Sequence, residues 1–189
     1  MFDRRLSRSF LFATVLFALA LSGGILATRQ DPAFGEQLLA SFRDQVAGDI
    51  FSDSPGVLFL KIFLNNLTAC IALFLGGATF GLVPLLVISS NGLVIGGIIE
   101  TVRGEKGLGF ILAGILPHGV LEIPAVLVSA GLGLLLAEAL GRELLRNEGD
   151  AAAEALGYGR LFVRYVVPFV LLAAAVEAFI TPQIIQLMS

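Results

Sequence analysis

The residues most able to do chemistry lie together in one apolar run, ILAGILPHGVLEIPAV, residues 111–126. His118 is the only histidine, Glu122 follows it by four residues, and Pro117 and Pro124 flank the pair. At i and i+4 the two side chains share one face of a helix, provided the helix continues between them. An ionisable group at the centre of a membrane-spanning helix costs at least about 2.5 kcal/mol, so each one calls for a reason. Each proline removes a backbone hydrogen bond and frees a carbonyl one turn earlier, which predicts a break beside the pair. Freed carbonyls with a carboxylate suit a cation or proton, as in transporters with discontinuous helices. The same groups also suit a structural lock, paired with Asn65, Asn66, Asn91 and ordered water, and the lock is the favoured reading. Glu177, in LLAAAVEAFITPQ, is a third carboxyl-or-imidazole group in an apolar setting.

Other chemistries find little support. No serine or cysteine has a base partner at a spacing known for nucleophilic catalysis. A single histidine gives no two-histidine metal site within one protomer, and nothing resembles HExxH. Cys70 stands alone, so no intrachain disulfide or cysteine zinc site is expected. The expectation is a non-enzyme with no catalytic residue, no metal centre and no cofactor. A net charge of −3 without a basic stripe argues against nucleic acid as a partner.

The elements that position these groups follow from the solvent. The chain is 57% hydrophobic and 14% charged, with a mean hydropathy of +0.92, far from the balance of a soluble protein. Several apolar runs reach the roughly 20 residues a helix needs to cross a bilayer, and barrel-like alternation is missing. The fold class is therefore an all-α integral membrane protein, a single transmembrane domain over 1–189 in the lipid bilayer of a cell membrane. Five spans are expected at about 10–27, 57–77, 81–99, 108–138 and 161–187, with glycine and proline breaks. The start resembles a signal peptide, but its apolar run is nearly a full span and is read as a retained first helix.

The connections carry their own signals. Asp31–Pro32 reads as a helix start, a capping carboxylate before a ring that needs no N–H. Phe34, Leu38, Phe42, Val46 and Ile50 then form a stripe opposite Glu36, Gln37, Arg43, Asp44 and Asp49. This predicts an amphipathic helix over 32–50, on the membrane surface, lidding the bundle or packed on a neighbouring loop. Gly76, Gly77, Gly81 and Pro84 split the long apolar stretch 57–99, and ETVRGEKG, residues 100–107, reads as a hydrophilic loop. Arg4, Arg5, Arg8, Arg142, Arg146, Arg160 and Arg164 outnumber Arg29, Arg43, Lys61, Arg103 and Lys106, which predicts a cytoplasmic N-terminus. Counting helical rise, Glu122 lies about 24 Å from Glu138 and Glu177 about 18 Å from Tyr165, which places both carboxylates at similar depth. The echo of GLVP (81–84) in GILP (114–117) is compatible with an inverted repeat, though chance is the favoured explanation. Closely spaced glycines allow tight helix packing within the protomer, or a homodimer seam.

The polar series resembles the stage II sporulation protein M family, a membrane family of largely unknown function. FLNNLTA, SSNGLVIGG, ILPHGVLEIPA and EAFITP carry the likeness from about Asn65 to Pro182, and PHGxxE is its most specific part. The resemblance puts signature positions on Asn65, Asn66, Asn91, Gly92, Pro117, His118, Gly119, Glu122 and Pro124, with Glu177 and Pro182 in the last helix. It implies a namesake that anchors wall-degrading partners during endospore engulfment, and relatives in organisms that form no spores, archaea included. Two functions are compatible with the chain. One is a non-enzymatic scaffold that assembles membrane or envelope proteins through 32–50 or 139–164. The other is a small transporter, channel subunit or permease partner with an ion or proton site at His118 and Glu122. The scaffold is favoured because no substrate signature is visible.

Overall fold

The computed structural model describes residues 4–42 and 54–187, and every element in them is helical. Helix α1 (Arg4–Gln30) runs longer at both ends than its apolar core. The Ala33 N–H donates to Asp31 Oδ1 at 3.1 Å, so α2 (Pro32–Phe42) starts on the capping carboxylate and proline as expected. Leu39 is buried and Phe34 and Leu38 are half-buried. Gly35 faces Thr28 and Thr101, and Leu38 reaches Gly97, so α2 lids one end of the bundle. The predicted continuation over 43–50 lies outside the described residues.

The long apolar stretch divides where the glycines predict. Helix α3 (Pro55–Leu75) tightens into a 3-10 turn, Gly76–Thr79, and Phe80 and Gly81 then take φ of 54° and 87°. Thr79 stitches the turn: its hydroxyl donates to the Gly76 carbonyl at 2.6 Å and accepts from the Val83 N–H at 3.0 Å.

Helix α4 (Leu82–Arg146) departs from expectation twice. Its 65 residues contain one non-helical position, Gly107, at φ 80° and ψ 171°. That glycine reverses the chain: Ile88 and Leu127, far apart in sequence, share one buried cluster with Phe17. Asn91 and Ile95 likewise line one cavity with Glu122, Ile123, Val126 and Leu127. Two antiparallel arms result, 82–106 and 108–146. The predicted hydrophilic loop 100–107 is instead helix up to the reversal, because one residue in the left-handed region suffices to turn the chain. The predicted proline breaks are also absent, since the second arm continues through Pro117 and Pro124 with helical dihedrals. Proline's fixed φ suits a helix, and neighbouring helices compensate for the hydrogen bonds it removes.

The last leg is one continuous rod with a local adjustment. Asp150 caps α5 (Ala151–Leu161), accepting from the Ala153 N–H at 2.9 Å. A π turn, Phe162–Val166, leads into α6 (Val167–Phe179) and α7 (Thr181–Gln186). The π turn ends just before Pro168, whose missing N–H leaves the Arg164 carbonyl without its usual donor.

Four of these helices are long and apolar enough to cross a membrane: Arg4–Gln30, Pro55–Thr79, Leu82–Arg146 and Ala151–Gln186. Because α4 folds back on itself, the chain makes five legs along the bundle axis. Arg5 meets Glu138 and Glu154 at one end of the bundle, and Arg29 meets Glu100 at the other.

Backbone-to-backbone approach holds these legs together. A Cβ on Gly24 would land on the Leu93 carbonyl, one on Gly96 on the Leu21 carbonyl, and one on Gly77 on the Gly133 carbonyl. Of the glycines read as a possible homodimer seam, Gly77, Gly92, Gly96 and Gly97 are thus occupied inside the protomer, whereas Gly107 and Gly114 face nothing within 4 Å. The GLVP and GILP segments sit in unlike places, Pro84 in the first turn of α4 and Pro117 deep inside its second arm, so the echo has no structural counterpart.

Adjacent glycines provide a test. Gly23 faces nothing within 4 Å, whereas its neighbour Gly24 lies against the first arm. Gly24→Ala is expected to cost about 1–3 kcal/mol through overpacking. Gly23→Ala is expected to be neutral or stabilising by up to about 1 kcal/mol through helix propensity. Unfolding of the two variants in detergent checks the contrast.

Candidate functional site

The continuous helix through Pro117 and Pro124 keeps His118 and Glu122 on one face, one turn apart. Glu177 of α6 meets them there: a ligand-type atom from each of the three residues lies within 4.8 Å of the other two. From α3, the Asn66 amide lies beside the Glu122 carboxylate. Asn65 Nδ2 donates to Asn66 Oδ1 at 3.2 Å, which backs that residue from the exposed side of α3. His118 Nδ1 is buried and has no hydrogen-bond partner among the described residues.

Asn91 enters from the first arm. Its Nδ2 donates to the Val87 carbonyl at 2.9 Å, and it lines with Glu122 and Phe17 a cavity of about 40 Å³. That is room for one water-sized group beside the carboxylate. Phe17 is twelve residues from Arg5 and twelve from Arg29, so the cavity sits about 18 Å from either charged end of α1. The structure therefore gathers Asn66, Asn91, His118, Glu122 and Glu177 at one depth. Asn65 supports them from behind, and Pro117 bounds the helix turn instead of opening it.

Two neighbours were not foreseen. Cys70, one turn beyond Asn66 on α3, is fully buried and within hydrogen-bonding reach of Ser129. Ser129 in turn donates to the Ala125 carbonyl at 2.7 Å. Their signal was spacing alone: Cys70 is four residues from Asn66 and Ser129 seven from Glu122, each on the inward face.

Charged clamps close both ends. At the α2 end, Glu100 lies just beyond the apolar segment 81–99, and its carboxylate is buried between two guanidiniums. It accepts from Arg103 Nε at 2.9 Å and Nη2 at 2.6 Å, and from Arg29 Nε at 2.8 Å. The hydrogen bonds from Arg103 and then Arg29 hold the Glu100 carboxyl down at about 2, well below the usual carboxylate range. At the other end Arg142 Nη2 binds both Glu154 oxygens at 2.7 and 2.9 Å, Tyr158 donates to Glu154 at 2.8 Å, and Arg5 bridges to Glu138 at 3.2 Å.

The description stage II sporulation protein M belongs to the family whose model matches residues 13–182. An uncharacterized protein of the archaeon Methanocaldococcus jannaschii is 31% identical over 128 residues, which is 67% of this chain and 72% of the relative. A second uncharacterized protein of the same organism is 31% identical over 134 residues, 69% of this chain and 59% of that relative. No solved structure matches. The chain belongs to the stage II sporulation protein M family, as its polar series implies, and it has the expected archaeal relatives.

The Glu100 clamp makes a pH prediction. Its folded value is depressed, so its stabilisation is full above about 4.5 and is lost as pH falls toward about 2. The melting-temperature gap between wild type and Glu100→Gln is expected to be constant above pH 4.5 and to close toward pH 2. A gap that stays constant down to pH 2 removes the clamp from the account.

Proposed function

We propose that this member of the stage II sporulation protein M family is a multi-pass membrane protein that binds a cation or proton at mid-depth. It acts as a small transporter, channel subunit or permease partner, with its N-terminus on the cytoplasmic side where arginines are in excess. One observation carries the reading: His118, Glu122 and Glu177 converge from two elements halfway between the charged ends. Two carboxylates side by side in an apolar bundle call for a positive species, whether a proton or a cation.

Thermal unfolding of detergent-purified protein tests this across pH and a panel of mono- and divalent cations. A species that occupies the site stabilises the native state by about 2.7 kcal/mol at one hundred times its Kd. That gain is expected in wild type and absent in Glu122→Gln. A constant loss of stability in the variant under every condition makes Glu122 a strut, and the scaffold reading then stands.

A further inference from the structure

Within that reading of the polar centre, on which this step rests, the geometry points to a divalent transition-metal cation as the bound species. We infer that one imidazole nitrogen of His118 and one carboxylate oxygen each from Glu122 and Glu177 form a three-ligand metal site.

Charge argues first. Two carboxylates with a neutral imidazole carry −2, so a divalent ion gives a neutral complex, whereas a monovalent ion leaves an uncompensated charge in an apolar interior. Ligand type narrows the ion further. Calcium takes six to eight oxygens and magnesium keeps a shell of waters, whereas imidazole with carboxylates suits zinc, iron, cobalt or manganese.

Geometry agrees. Metal–ligand bonds of about 2.1 Å in a tetrahedron hold their ligand atoms about 3.4 Å apart. The three side chains already lie within 4.8 Å of one another, so closure needs side-chain adjustment and no helix movement. His118 and Glu122 are on one rigid helical turn, which leaves Glu177 on α6 as the group that adjusts. Metal sites inside helix bundles are commonly assembled this way, from side chains on facing helices.

The surroundings fit an open site. Asn66 lies beside Glu122, in the place that outer partners occupy around metal ligands. Three protein ligands leave one coordination position free, as an open site requires. A closed structural site offers no such position. The arrangement suits an ion that arrives and leaves.

The test uses the full chain in detergent, freed of any purification tag and stripped with a chelator, then titrated with Co²⁺ as the probe. The expected result is one Co²⁺ per protomer, visible absorption bands of a four- or five-coordinate ion, and displacement by Zn²⁺. His118→Ala is expected to bind at least tenfold more weakly and to lose the bands. The isosteric Glu177→Gln carries the same expectation and decides the matter should His118→Ala fail to fold. Co²⁺ binding that is absent, or equal in wild type and Glu177→Gln, overturns the metal site. If Na⁺, K⁺, Ca²⁺ or protons then still stabilise wild type over Glu122→Gln, only the class of ion was wrong. If nothing does, the ion-binding reading falls with it.

Discussion

The backbone of α1 lies directly against the first arm of α4, and the rest of the bundle depends on that contact. Gly24, Gly92 and Gly96 leave no side chain between the two helices, so α1 seats against Leu93 on one side and offers its own Phe17 and Leu21 carbonyls on the other. From there Phe17 joins both arms, sharing one buried cluster with Ile88 and Leu127 and lining one cavity with Asn91 and Glu122. A wedge in that position fixes how far the arms are shifted along each other. The register it sets brings Asn91 opposite Glu122. A bulkier residue at Gly24 or Gly96 would change the alignment of the polar centre as well as stability.

The same contact explains the distribution of charge. Between Arg8 and Arg29, α1 carries no ionisable residue, and one arginine near each end is paired: Arg5 with Glu138 and Glu154, Arg29 with Glu100. These clamps lie about 36 Å apart along α1, close to the thickness of a bilayer with its interfacial edges. Among the described residues, His118, Glu122 and Glu177 meet near the midpoint between these clamps. Hydrocarbon does not solvate a charge. The chain resolves this by placing ion pairs at the ends and gathering the remainder at one place.

Much of that centre was legible in residue order. His118 and Glu122 declare themselves by their spacing, and counting helical rise from the polar segment 139–160 puts Glu177 at the depth of Glu122. Asn66 and Asn91 were legible as polar residues in apolar runs. The backbone around them was less so. Proline normally signals a break, yet Pro117 and Pro124 stay helical, because a packed bundle compensates for a lost hydrogen bond more readily than for an irregular segment. A run of charges normally signals a loop, yet 100–106 is helical, because Glu100 spends its charge on Arg29 and Arg103 and leaves only Gly107 to turn the chain. The Glu100 pairing joins residues 71 positions apart, which no local pattern encodes.

The identity of the central residues bears on their purpose. Holding helices together at mid-depth needs only uncharged amides and hydroxyls. Such bonds contribute about 0.6 kcal/mol on average and carry no charge to neutralise. An imidazole and two carboxylates each add a desolvation cost of several times that amount. A purely structural lock gains nothing from this difference. A site that must take up a cation and give it back does, because the ion offsets the cost only while it is bound.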